Sequence, residues 1–179
     1  MNDLLHLGAL ALAAIGAGSL IGIRRGVGAP EIAAAVLMLA GMSDAMTVAL
    51  LPPVVWFAVM VPTAIALAIR CRVPAALEGR RAQAGGMLSA HLALGLVSTA
   101  ALILLMAAIP ATGVAGAGAS SAHSHGGGSG MPQVLSVALG LGAILLSAIA
   151  LRAEPSWLHR VHHTTMAAST VAMAAIVAF

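Results

Sequence analysis

Apolar residues along the chain gather into six blocks, at 4–23, 31–50, 53–69, 86–109, 132–151 and 161–179. A helix needs about 20 apolar residues to cross the hydrocarbon of a bilayer, and each block is near that length. The pattern predicts an all-α fold: a polytopic transmembrane helical bundle of six spans, forming one domain over 1–179.

The division between the second and third blocks rests on helix length. Read as one helix, 31–69 would be about 58 Å long, too long for a bilayer. The run Leu-Leu-Pro-Pro at 50–53 separates them. Pro52 and Pro53 suit a tight turn that feeds a helix start, where a missing N–H costs little. Pro62 is expected to kink the third span.

Charge sets the expected orientation. All eight basic residues are arginine, and they sit between the blocks: Arg24 and Arg25; Arg70, Arg72, Arg80 and Arg81; Arg152 and Arg160. With six spans and both the N-terminus and the C-terminus extracytoplasmic, every arginine lies on the cytoplasmic side, as the positive-inside rule requires. Merging the second and third spans would put arginines on both faces. Asp3 precedes the first block and arginines follow it, the reverse of a secretory leader, so this block is expected to be an anchor. Residues 111–130 then become a flexible Gly/Ser/His extracytoplasmic loop.

Composition changes the picture in what it excludes. The 179 residues are 61% hydrophobic and 7% charged, against about 25% charge in a soluble domain. A water-soluble fold of this size could not hide so much apolar surface. The net charge of +3 does not imply nucleic acid, because the arginines form no single basic face interleaved with aromatics. One cysteine, Cys71, excludes an internal disulfide and a CxxC site, and its arginine neighbours put it on the reducing side. HExxH, GxSxG and P-loop motifs are absent, and Gly-Met-Ser-Asp at 41–44 lacks the second glycine of a GxGD protease. No enzyme is expected.

Small residues four apart, Gly18 with Gly22 and Ser136 with Gly140, are expected to mark close helix contacts, either within the chain or between copies.

Candidate chemistry concentrates in imidazoles and thioethers. On a helical wheel with His159 at 0°, His162 falls at about 300°, His163 at about 40°, Met166 at about 340°, Thr170 at about 20° and Met173 at about 320°. These residues share one arc, running from the cytoplasmic edge towards mid-membrane. Imidazole suits copper and zinc, and thioether sulfur suits Cu(I). Histidine at a membrane edge can equally meet headgroups, and methionine fills helices. Met38, Met42 and Met46 form a second stripe, at about 0°, 40° and 80°. Their Met-xxx-Met spacing is similar to that in the copper-permeable helix of Ctr-type copper transporters. That similarity covers a few residues, and those proteins have three spans, so no fold is implied. His91 lies at a depth similar to His162 and His163, as a further ligand or one half of a haem b pair. With four aromatics in the chain, haem b is disfavoured. His123 and His125, with Met131 nearby, could capture a metal loosely from the outer loop. His6 lies near the outer end of the first span.

Asp44 is the costliest residue, an acid placed about 20 Å from the cytoplasmic end of its span. It is expected to point into the bundle, as a structural hydrogen-bonding acid or as a proton, cation or substrate site. An early turn before Pro52 would move it towards the outer surface.

The six spans, the lysine-free arginine usage and the runs Met-Leu-Ala-Gly-Met-Ser-Asp-Ala-Met at 38–46 and His-His-Thr-Thr-Met at 162–166 together resemble a group of small actinobacterial multipass membrane proteins. These are of unknown function and carry His/Met-bearing helices. The resemblance implies a bacterial plasma membrane and no established activity. Three functions follow as expectations. The first is soft-metal handling, with copper foremost as binding or transfer. The second is a non-catalytic accessory or assembly subunit of a larger respiratory or envelope complex. The third is a proton- or solute-coupled transporter using Asp44. The expected partners are the lipid bilayer, with a homo-oligomer or a larger membrane complex beside it, and no nucleic acid.

Overall fold

A computed structural model describes residues 2–23, 27–72, 79–108, 130–153 and 156–178. These residues form six helices and no strand: α1 (Asn2–Gly22), α2 (Ala29–Met46), α3 (Pro53–Arg72), α4 (Gly79–Ala108), α5 (Met131–Ala153) and α6 (Trp157–Ala178). Each contains a stretch long and apolar enough to cross a membrane. The chain is a multi-pass membrane protein whose apolar helices suit a lipid bilayer.

Helix ends depart from the apolar blocks where local chemistry acts. α4 begins at Gly79 rather than 86, because Ala, Gln and Arg are good helix formers even when polar. α6 begins at Trp157 rather than 161, and its first turn closes through Arg160 N–H to the Ser156 carbonyl at 3.1 Å. α3 runs on unbroken through Pro62. α2 stops at Met46, four residues before the expected end. Pro52 disfavours helical backbone at the residue before it and has no N–H to give. The chain leaves the helix through Ala49, whose φ of 50° is left-handed.

Four helices form a ring in the order α1, α2, α4, α6, each packed on the next, with α6 closing on α1. α3 packs outside against α4 and α2, and α5 outside against α6 and α4. Among the described residues, the backbones of α2 and α6 do not approach across the diagonal. Long side chains fill that space: Met38 and Met42 from α2, Met166 and Met173 from α6, all at most 5% exposed. Dispersion contacts and interhelical hydrogen bonds hold such a ring together, because lipid is as apolar as the core. Ser169 Oγ donates to the Ala9 carbonyl at 2.9 Å, joining α6 to α1. Ser147 Oγ donates to the His163 carbonyl at 2.9 Å, joining α5 to α6.

One small-residue pair makes a close contact within the chain, and the other makes none there. Ser136 and Gly140 are buried, and a Cβ on Gly140 would lie 3.2 Å from Ala174 Cβ. Gly18 instead faces open space, and a Cβ on Gly22 would make only ordinary contact with Leu158. α1 packs through Ala9, Ala13, Gly16 and Leu20, all buried at helical spacing. This Ala/Gly face of α1 is the one that admits α6.

Asp44 does not point into the bundle. Because α2 stops at Met46, this acid falls in the last turn and folds over the loop that follows. Its carboxylate accepts Leu50 N–H at 2.8 Å, Leu51 N–H at 3.1 Å and Trp56 Nε1–H at 2.7 Å. It ties the α2–α3 turn to the first turns of α3, a structural duty that removes the deep intramembrane placement on which a coupling role rested.

Candidate metal centre

Three imidazoles meet where α4 and α6 adjoin in the ring. His91 comes from α4; His162 and His163 are consecutive on α6. The centroid of His163 lies 4.3 Å from that of His91 and 5.5 Å from that of His162, and His91 and His162 are 6.0 Å apart. All three pairs are edge-on. One ring nitrogen from each lies within 4.8 Å of the others. Nitrogens bound tetrahedrally to one ion at 2.0–2.1 Å would stand about 3.4 Å apart. Closing on an ion therefore asks for shifts of about an ångström, within the reach of side-chain torsions.

The hydrogen bonds around these rings are incomplete in a telling way. His162 Nδ1 lies 2.9 Å from the Gly16 carbonyl oxygen. A carbonyl only accepts, so Nδ1 carries the proton and Nε2 carries the bare lone pair. That Nε2 is buried with no hydrogen-bond partner, and so is His163 Nδ1. A buried polar group left unsatisfied costs about 1–3 kcal/mol. A metal-binding histidine characteristically gives its second N–H to a backbone carbonyl and keeps the other nitrogen for the ion. His162 has that arrangement.

Thioethers reach the same place. A cavity of about 20 Å³ is lined by His91 and His162 together with Met38, Met166, Ser98 and Thr170. One water needs roughly 10–15 Å³ on this measure, so the space suits a single small occupant. Backbone close approach makes room for the sulfurs. A Cβ on Gly95 would lie 3.0 Å from Met38 Cε, and one on Gly16 would lie 2.7 Å from Met166 Sδ.

The remaining candidates divide by position. His159 and Met173 are buried on the same face of α6, below and above the three-histidine group. Met42 is buried one turn from Met38, with its Sδ 3.8 Å from Ser169 Oγ. Met46 is half-buried at the end of α2. His6 is half-buried on α1. His123 and His125 lie outside the described residues. Two acids exchange the importance expected of them. Asp44 is a surface tie, whereas Glu31, unremarked in the sequence pattern, is 5% exposed. Glu31 Oε2 accepts Gly28 N–H at 2.9 Å, and Oε1 accepts Ser89 Oγ–H at 2.8 Å. Glycine three residues before glutamate, with Pro30 between them at the helix start, was the available signal for the first of these bonds.

No protein-family model matches the chain, and neither a curated protein nor a solved structure is significantly similar to it. The described residues define a multi-pass membrane protein with six apolar helices and a three-histidine cluster, two of its rings buried and His91 half-buried, flanked by methionines.

Proposed function

We propose that the protein binds Cu(I) inside the membrane and hands it on without covalent chemistry. His91, His162 and His163 are the nitrogen ligands, with Met38 and Met166 as soft ligands from the cavity that His91 and His162 line. The observation that carries this reading is the buried, unpartnered Nε2 of His162, on a ring that the Gly16 carbonyl holds and whose centroid lies 5.5 and 6.0 Å from those of two further imidazoles. Imidazole alone would serve zinc as well; thioethers in the cavity favour the softer Cu(I). Met42 and Met173 continue the sulfur stripe along the α2–α6 diagonal and supply weak, exchangeable ligands for transfer. Purified protein in lipid nanodiscs should take one equivalent of Cu(I) from a chromogenic chelator. An uptake of none would overturn the proposal.

The arginine distribution supports an orientation with both termini outside, in a bacterial plasma membrane. The histidine cluster then opens towards the cytoplasmic half. Single-cysteine variants at Ser121 and Ala76 test this. An impermeant thiol reagent on intact cells should label Ser121→Cys and spare Ala76→Cys; the opposite pattern inverts the orientation.

A further inference from the structure

We infer that Gly16, on a helix that supplies no ligand, determines which metal the site prefers. The inference rests on the copper reading and deepens it, by separating the part of the site that holds any imidazole-binding ion from the part that selects a soft one.

Two properties of Gly16 act on two different ligands. Its carbonyl accepts His162 Nδ1–H at 2.9 Å and Ser19 Oγ–H at 2.7 Å. The histidine is thereby locked in the tautomer that presents Nε2. Any residue at position 16 would keep this carbonyl. The second property belongs to glycine alone. A Cβ here would lie 2.7 Å from Met166 Sδ, 2.9 Å from Met166 Cγ and 2.9 Å from Thr165 Oγ1. The sulfur therefore sits in the space that the missing methyl leaves. Met166 is 5% exposed and lines the cavity beside His91 and His162. An alanine at position 16 would displace the thioether and leave the imidazoles in place. The thioether is flexible and can swing aside, whereas Thr165 Oγ1 is held by the Val161 carbonyl at 2.7 Å, so a small shift of α1 against α6 accommodates the methyl.

Zinc gains little from a thioether, whereas Cu(I) gains much. Displacing Met166 should therefore weaken one metal and spare the other. The experiment titrates Cu(I) and Zn(II) separately against chromogenic chelators, on full-length protein in nanodiscs. Gly16→Ala should lose about tenfold in Cu(I) affinity, or ~1.4 kcal/mol, and keep its Zn(II) affinity within about twofold. Met166→Ala should lose the same amount. In the double variant Gly16→Ala/Met166→Ala the obstruction by the thioether is gone, and only the contact with Thr165 Oγ1 is left. The double variant should fold even where Gly16→Ala alone does not, with the Cu(I) affinity of Met166→Ala and no further loss.

An unchanged ratio of Cu(I) to Zn(II) affinity in Gly16→Ala overturns the inference, whether both affinities hold or both fall together. A further tenfold loss in the double variant overturns it too, since Gly16 would then act by another route. Wild-type protein that binds Zn(II) and Cu(I) equally also removes it, while leaving a metal site in place. Wild-type protein that binds neither removes the proposed function itself.

Discussion

Replacing His91, His162 and His163 together by leucine should abolish Cu(I) uptake while the six-helix bundle remains folded. The asymmetry follows from what these side chains do without metal. Each is a polar ring in an apolar interior, and two ring nitrogens there have no partner. Leucine removes the unsatisfied groups and adds apolar volume close to that of the ring. Exchanging all partners of a buried polar cluster for apolar groups of similar shape is near neutral or stabilising. Binding responds in the opposite direction. Loss of an outer-shell partner alone costs about 10–100-fold in metal affinity. Loss of a direct ligand should exceed that, so each single His→Leu variant should weaken Cu(I) by more than about 100-fold, or ~2.7 kcal/mol. His159→Leu is the control: it changes a buried histidine on the same face of α6 that lies outside the three-nitrogen group. It should bind Cu(I) within about threefold of wild type. A triple variant that still takes one equivalent, or a His159→Leu variant as weak as His163→Leu, would refute the assigned ligand set.

How much of this was legible before the fold was known varies by residue. The six helices were legible because a bilayer demands blocks of about 20 apolar residues, and composition alone supplies that signal. The common face of His162, His163, Met166 and Met173 was legible because helical spacing within one helix fixes relative azimuth. The meeting of His91 with that face was only half legible. Depth could be counted from the span ends, but which helices adjoin, and how each is rotated, depends on packing that periodicity does not encode. Gly16 had no readable signal, since its role comes from α1 pressing on α6. The neighbouring Gly18 and Gly22 matched a packing motif better, yet neither makes a close contact within the chain. Asp44 was misplaced by one dependence: its depth hinges on where α2 stops, and the apolar run to Leu51 hid the early stop at Met46. Its place as the buried acid goes to Glu31, which lies in the first turn of α2, where an acid ordinarily faces water.

Glu31→Leu should destabilise the folded protein by about 2–4 kcal/mol, although it makes the span more apolar. Two effects compete. Leucine removes the cost of placing a carboxylate within a span. That cost is largest at mid-membrane and falls towards the ends, and Glu31 is in the first helical turn. Burying leucine against other helices returns little, because lipid is equally apolar. Against these small gains stand two lost hydrogen bonds. Gly28 N–H loses the oxygen that caps the start of α2, and Ser89 Oγ–H loses the acceptor that joins α4 to α2. A hydrogen bond to a charged acceptor contributes about 1.5–3 kcal/mol, so the losses outweigh the gains. Glu31→Gln keeps one carbonyl oxygen and should cost less than half as much. The effect reaches the metal centre, because Ser89 precedes His91 by two residues on α4. A bond that fixes the rotation of α4 against α2 also fixes the direction of the His91 ring on the opposite side. Equilibrium unfolding of the three proteins in mixed micelles gives the stabilities, and Cu(I) titration of the folded variants gives the coupling. The expected order is wild type, then Glu31→Gln, then Glu31→Leu, in both measurements. A Glu31→Leu protein as stable as wild type would mean that the carboxylate is tolerated at this place and holds nothing together.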